Sequence, residues 1–241
     1  GKTAAFGLPT MNACQASGEL QALILAPTRE LANQVAEELN NIQGEMGLII
    51  QTVYGGTDLE KQARSLQSGV DIIVGTPGRV MDMTERGHID LGKPDFFVLD
   101  EADRMLDMGF FPDIMWIVER MSGRSQTLLF SATFPQEIID AANEFMNDPD
   151  FVLNNTEKLD IPPIEQYSVR VGRANKLWVV GRLLARMSDE DQTIIFTNTK
   201  RMVDLLVQRL KKHRFDVEGI HGDLSQNQRE KMISKFKITP F

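Results

Sequence analysis

Residues 96–106 read FFVLDEADRML. Four apolar residues, Phe96 to Leu99, run directly into Asp100, Glu101 and Asp103. A continuous apolar run of this length predicts a strand buried on both faces, as in parallel sheets covered by helices. An acid does not enter such a core without a partner, and three acids within four positions repel one another. Either the acids form a solvated turn before a short helix at Arg104–Met108, or something cationic sits there. Asp100 follows the apolar run directly, so its carboxylate emerges at the strand's carboxyl end, where ligands bind in open α/β sheets.

The same alternation extends in both directions. Leu20–Ala26, Leu48–Val53, Val70–Val74 and Thr127–Phe130 are further strand candidates. Between the first two, Leu31, Val35, Leu39 and Ile42 recur at helical spacing over Glu30–Ile42. Pro135–Met146 predicts a helix that Pro135 can start at its first turn. The polar, twice-prolyl stretch Asn154–Pro163 breaks the pattern and predicts a linker. Beyond it, strands are expected at Tyr167–Val171, Thr193–Phe196 and Val217–Ile220. Helices are expected at Lys176–Met187, Arg201–His213 and Gln226–Phe236. The expected fold is α/β, with parallel sheets covered by helices in two tandem domains, 1–153 and 166–241, joined by a linker at 154–165. Three strands and three helices bury little, so the second domain is expected to be incomplete.

Composition excludes several classes. The chain has 241 residues, enough for one to two domains, and 42% of them are hydrophobic. No apolar run approaches the roughly 20 residues that span a bilayer, and no secretory signal is visible. A lone cysteine, Cys14, fits a reducing, cytoplasmic setting. The net charge of −8 hides an asymmetry: residues 1–165 hold 11 Lys and Arg against 26 Asp and Glu, and residues 166–241 hold 15 against 8. On charge alone a solvated basic face accounts for the second part; a surface facing a polyanion is the alternative.

Gly1-Lys2-Thr3 matches the tail of a phosphate-binding loop, in which Lys holds outer phosphates and Thr binds Mg²⁺. Alone, three residues read equally as an arbitrary terminus. Together with Asp100 they do more, because an Asp at a strand end binds the Mg²⁺ held by such a loop's hydroxyl. Glu101 is then placed to orient or deprotonate the attacking water. Other segments carry plain structural readings. Thr28 after Pro27 suits a helix N-cap, Gly55-Gly56 a turn, and Thr76–Arg79 a turn entering a helix with Arg79 in a surface ion pair. His88 and His213 are expected at the surface, and His221, which follows a strand, in a structural or ligand-side place rather than at a metal. Trp116 and Trp178 sit at apolar helical positions, expected in the core.

The ordered set GKT (1–3), PTRELA (27–32), GG (55–56), TPGR (76–79), DEAD (100–103), SAT (131–133), IIFTNT (194–199) and HGDLSQNQR (221–229) resembles the DEAD-box ATP-dependent RNA helicases. The resemblance implies two RecA-like domains, ATP and Mg²⁺ as ligands, and RNA as a largely sequence-independent partner. It places Gly1, Lys2, Thr3, Asp100 and Asp103 at the nucleotide, with Thr3 and Asp100 on the metal. It makes Glu101 the activator of water, with Asp103 linked to Ser131 and Thr133 to couple hydrolysis to the RNA side. Pro27, Thr28, Arg29, Gly55, Gly56, Thr76, Gly78 and Arg79 would line the RNA path in the first domain. Thr199, Gly222, Asp223, Gln226 and Arg229 would form the second domain's RNA and interdomain surface. It implies that ATP and RNA favour a closed form that bends one strand and separates short duplexes. The family's adenine-recognising segment and its arginine-rich last motif have no match in these residues. Arginine fingers contribute about 10³–10⁵ in rate, so the chain as written is expected to turn over weakly. The alternatives are a nonenzymatic ATP-gated RNA clamp or scaffold and a DNA-directed translocase.

Overall fold

The computed structural model describes residues 1–152, 164–188 and 191–238, without the side chains at 226, 227, 230, 237 and 238. The chain divides into two compact units, Gly1–Leu153 and Asn154–Phe241.

In the first unit, five strands form one parallel sheet: β1 (Ala22–Leu25), β2 (Ile50–Val53), β3 (Ile72–Gly75), β4 (Phe96–Leu99) and β5 (Gln126–Leu129). Their order is β2-β3-β1-β4-β5. Leu25 pairs with Gly75 on one side and Leu99 on the other, so the central strands end level with each other. Helices α1 (Lys2–Ala13), α2 (Arg29–Ile42), α3 (Leu59–Gln67), α4 (Pro77–Glu85), α5 (Ala102–Asp107), α6 (Phe111–Arg120) and α7 (Gln136–Phe145) surround it.

The unbroken apolar runs are explained by two cores, one on each face of the sheet. Leu23, Leu25, Ile73, Phe97 and Leu99 pack with Val80 of α4, Met105 of α5 and Ile117 of α6. The alternate residues Ala22, Ile24, Ile72, Val74 and Val98 pack with Phe6 of α1 and with Val35 and Leu39 of α2. Every strand expected in this unit is present, within two residues of its expected ends. The helix expected at Arg104 starts earlier, at Ala102. Trp116 lies against the first core, with the Arg120 guanidinium 3.6 Å from its ring centre.

One polar residue fastens the sheet's amino edge. Asp71 is fully buried and accepts N–H bonds from Ser17 (2.9 Å), Gly18 (2.7 Å) and Ile49 (2.7 Å). It thereby joins the segments that lead into β1 and β2.

The second unit contains α8 (Lys176–Leu184), α9 (Lys200–Lys212) and α10 (Gln226–Ile238), with a 3-10 turn at Arg173–Asn175. The three strands expected here do not form among the described residues. Tyr167–Val171, Thr193–Phe196 and Val217–Ile220 run without ladder partners. Phe196 is 91% exposed. Apolar, β-branched composition supplies strand propensity, but a strand also needs a paired neighbour and a covered face. Of the hydrophobic residues described in this unit, Leu206 and Leu210 of α9 are buried. Trp178, expected in the core, is 66% exposed and has the Arg182 guanidinium 5.5 Å from its ring centre. Of the expected linker, residues 154–163 lie outside the described residues.

Candidate functional site

The carboxyl edge of the sheet gathers five of the sequence segments. Ala26 N–H donates to the Gly75 carbonyl (2.9 Å), Thr76 N–H to Val53 (3.0 Å) and Asp100 N–H to Leu25 (2.9 Å); Ala102 N–H donates to Phe130 (3.0 Å). These bonds hold Pro27–Arg29, Gly55-Gly56, Thr76–Arg79, Asp100–Asp103 and Ser131–Thr133 along one rim. The start of α1 joins them through Phe6, whose ring meets Phe130 edge-on with centroids 5.3 Å apart.

Asp100 is only 5% exposed. Burial pushes its carboxyl above the usual aspartate range, and Glu101 and Asp103 push the same way. The Lys2 ammonium pulls it back down, as does the Glu101 N–H, which donates to Oδ1 at 3.0 Å. Lys2 and Asp100, 98 positions apart, are thus within electrostatic reach of each other. Thr3 follows in the first turn of α1, and Gly1 caps that helix.

Glu101 adopts a left-handed backbone, φ 53° and ψ 51°, as the N-cap of α5. A non-glycine residue there costs on the order of 1–3 kcal/mol, and such strain gathers at functional sites. The turn aims the chain from β4 into α5 within two residues. The Glu101 carboxylate takes a hydrogen bond from Arg104 one helical turn on, at 3.2 Å.

Asp103 is joined to the segment after β5. Its Oδ2 accepts from the Thr133 N–H (3.0 Å) and hydroxyl (2.8 Å). Its own N–H donates to Ser131 Oγ (3.3 Å), and that hydroxyl donates to the Thr133 carbonyl (2.6 Å). Desolvation pushes the Asp103 carboxyl up, but the bonds from Thr133, the Arg104 N–H and Ser131 outweigh it and hold it below the usual range.

The remaining rim is built of small residues and helix starts. Pro27 is buried, and Thr28 caps α2 by accepting the Leu31 N–H at 3.3 Å. Arg29 reaches the Gly55 carbonyl (3.4 Å) and Glu30 (3.6 Å). Gly56 has φ 81°, and a Cβ there would run into the Arg29 guanidinium. Thr76 is the N-cap of α4, with Pro77 following, and its side chain makes no capping bond. Around Gly78 the space is open. Arg79 is turned inward. Its side chain is 12% exposed, bonded to Gln62 Oε1 (2.9 Å) and the Thr57 carbonyl (3.2 Å), and 4.0 Å from Asp82.

Sequence reasoning missed Tyr54, Thr57 and Gln62, which shape the loop carrying the glycine pair. Gln62 Nε2 donates to the Tyr54 carbonyl (3.2 Å) and to Thr57 Oγ1 (2.8 Å). The signal was present: Leu59, Gln62, Ala63 and Leu66 share one face of α3, so a glutamine interrupts an apolar stripe.

In the second unit, Thr199 caps α9 by accepting the Met202 N–H at 3.3 Å. Lys200 meets Asp223 at 2.8 Å, and that bond holds the Asp223 carboxyl below its usual range. His221 accepts the Asp223 N–H (3.3 Å), and its Nε2 lies 3.2 Å from Asp204. Gly222 stands in open space. Gln226 opens α10, with its side chain outside the described residues, and the Arg229 N–H donates to the Ser225 carbonyl at 3.1 Å. His213 is exposed, as expected, and His88 is half-buried.

A parallel α/β sheet whose buried strand ends in acids, with a helix-start lysine in reach, defines the RecA-like class of phosphate-loop folds. The chain belongs to the DEAD/DEAH box helicase family, whose family model matches residues 1–141; that of the helicase conserved C-terminal domain matches residues 175–240. It is 44% identical over 237 residues to the RNA helicase CrhR of Synechocystis. It is also 44% identical over 238 residues to the DEAD-box ATP-dependent RNA helicase CshA of Geobacillus kaustophilus. These alignments cover 98% of this chain and 48% and 51% of the relatives, so the chain spans about half their length. Among solved structures, it is similar to S. cerevisiae Dbp5 bound to RNA and ADP BeF3, with a TM-score of 0.84 and 32% identity over 98% of this chain and 60% of that one. A DEAD box protein from Methanococcus jannaschii gives a TM-score of 0.62 and 40% identity over 98% and 63%. Among the described residues, no helix is long and apolar enough to cross a membrane.

Proposed function

We propose that this protein is an RNA-stimulated ATPase that separates short RNA duplexes locally, an ATP-dependent RNA helicase acting in the cytosol. The observation that carries this reading is Asp100: a buried carboxylate at a strand's end, pushed by two acids and pulled by Lys2. In this reading Gly1, Lys2 and Thr3 receive the phosphates. The donor set fits Mg²⁺, which takes one or two carboxylates together with substrate phosphates, so Asp100 and the Thr3 hydroxyl would hold it. When bound, the metal neutralises charge developing on the phosphates. Glu101 accepts the proton of the attacking water; its strained backbone fixes where the carboxylate starts. Asp103 transmits the state of this acid cluster to the segment after β5, its carboxylate taking charge-assisted bonds from Thr133 and its N–H donating to Ser131 Oγ.

The RNA reading is supported by the rim's chemistry. Gly55, Gly56, Gly78 and the start of α4 offer backbone N–H groups and a Thr76 hydroxyl, which suit phosphate and sugar oxygens and carry no base code. In the second unit, Thr199, Gly222, Asp223, Gln226 and Arg229 would form an RNA-facing surface of that unit. The cytosolic reading is supported by cysteine usage: Cys14 is the chain's single cysteine, a free and buried thiol.

Glu101→Gln tests the assignment. The variant should bind a fluorescent ATP analogue as well as the parent does. Its RNA-stimulated phosphate release should fall by about 10²–10⁴, the range of a lost general base. Turnover within threefold of the parent would remove Glu101 from its role. Stimulation by DNA equal to that by RNA of the same sequence would remove RNA as the substrate.

A further inference from the structure

Arg79 stands on the RNA-facing rim, yet its guanidinium points into the protein. Two of its donors are committed, Nη1 to Gln62 Oε1 at 2.9 Å and Nη2 to the Thr57 carbonyl at 3.2 Å, and Nε faces Asp82 at 4.0 Å. The side chain is 12% exposed. Gln62 spends its other end on the same loop, donating to the Tyr54 carbonyl and to Thr57 Oγ1. The Thr57 hydroxyl in turn donates to the Tyr54 carbonyl at 3.2 Å. The segment so enclosed, 54–57, contains Gly55-Gly56, and Arg79 sits one residue after Gly78 in the first turn of α4. One planar fork therefore joins α4 to the loop between β2 and α3.

Building on the RNA reading above, we infer that Arg79 and Gln62 form a cross-brace that positions the two glycine segments for the RNA backbone, and that Arg79 itself touches no phosphate. The brace needs the fork. A guanidinium presents several donors in one plane and bonds Gln62 and Thr57 at once, whereas an ammonium is a point charge on a flexible stem. The glycine loop lacks side chains to stiffen it, so its register comes from neighbours. Gln62 supplies an acceptor to Arg79 and donors to the loop, which no charged or apolar side chain of that size does.

Salt dependence separates positioning from direct phosphate binding. On single strands the slope of log K against log salt falls by about 0.7 for each phosphate that the protein ceases to neutralise. Binding of a single-stranded oligouridylate is to be measured between low and moderate salt for the parent, Arg79→Gln, Arg79→Lys and Gln62→Met. A cross-brace predicts that all three variants bind about tenfold more weakly, as loss of a charge-assisted bond requires, with the parent's slope retained. Affinity for an ATP analogue should not change, which also shows that the variants are folded. Direct phosphate binding by Arg79 predicts a different pattern, with Arg79→Lys close to the parent, Arg79→Gln lower in slope by about 0.7, and Gln62→Met unaffected; this pattern overturns the inference. Gln62→Met reports on the brace without touching the charge, so it decides the matter even if Arg79→Gln misfolds. If the parent fails to bind RNA while still binding nucleotide, the functional reading falls and the brace's purpose falls with it.

Discussion

Asp100→Asn should stabilise the nucleotide-free protein while abolishing its turnover. Asparagine has nearly the same shape, and its Oδ1 can still accept the Glu101 N–H now held at 3.0 Å. What disappears is a charge that is 5% exposed and pressed by Glu101 and Asp103. An incompletely compensated buried polar group costs about 1–3 kcal/mol in proteins, and Lys2 offsets part of that here, so the expected gain is about 1 kcal/mol. For a unit of this size that raises the unfolding temperature by about 2–4 °C. The pH dependence follows from the raised carboxyl. Below the ordinary aspartate range, Asp100 is protonated folded or unfolded, and the charge costs nothing. As pH rises through the folded value, ionisation must occur in the buried site and stability is lost. The variant's advantage should therefore be full at pH 7 and fade towards pH 3–4, close to the unperturbed aspartate value of about 3.9. Calorimetric scans of both proteins across that range measure it. Adding Mg²⁺ and ATP should reverse the order at pH 7, because only the parent gains the binding contribution. A variant less stable than the parent at pH 7 without ligand would refute the reasoning. So would an advantage that does not change with pH.

Removing Asp71 should be far more damaging than any rim substitution. Asp71→Ala leaves the Ser17, Gly18 and Ile49 N–H groups without their acceptor, at about 1–3 kcal/mol each, so urea unfolding should show a loss of at least about 3 kcal/mol; a loss under about 1 kcal/mol would discount the bonds. Thr133→Val should let the Asp103 carboxyl rise towards its ordinary value, seen in an NMR titration of its side chain; no movement would mean that the hydroxyl bond is not what holds it down. Because that carboxyl is depressed, its stabilising contribution is present above the ordinary aspartate value and is lost as pH falls through the folded one. Protection of the Thr133 amide from hydrogen exchange should fall over the same range, and protection independent of pH would contradict the assignment.

The first unit was legible because its signal is of one kind. A strand buried on both faces has to be apolar at every position, and ALIL, IIV and FFVL are. The acids after Leu99 were legible for the complementary reason: three charges that close have no stable place in a core. The second unit shows the limit of that signal. TIIF at 193–196 has the same composition as a core strand, yet Phe196 lies in solvent, because propensity says what a segment tolerates and not whether a neighbour covers it. Arg79 shows a second limit. Its place in TPGR says that it lies on the rim; the direction of its side chain depends on Gln62, seventeen residues earlier on another element.

By itself, the order of residues determined the alternation of strand and helix in the first unit, the cap at Thr28 and the emergence of acids at the end of β4, since each follows from neighbours a few positions apart. Only the tertiary structure decided that Lys2 acts on Asp100, that Asp103 takes both bonds from Thr133, and that Asp71 gathers three N–H groups from two segments. Those outcomes depend on strand order and register, which bring distant residues within a few ångströms, and hydrogen bonds and charge interactions are strong only at that range.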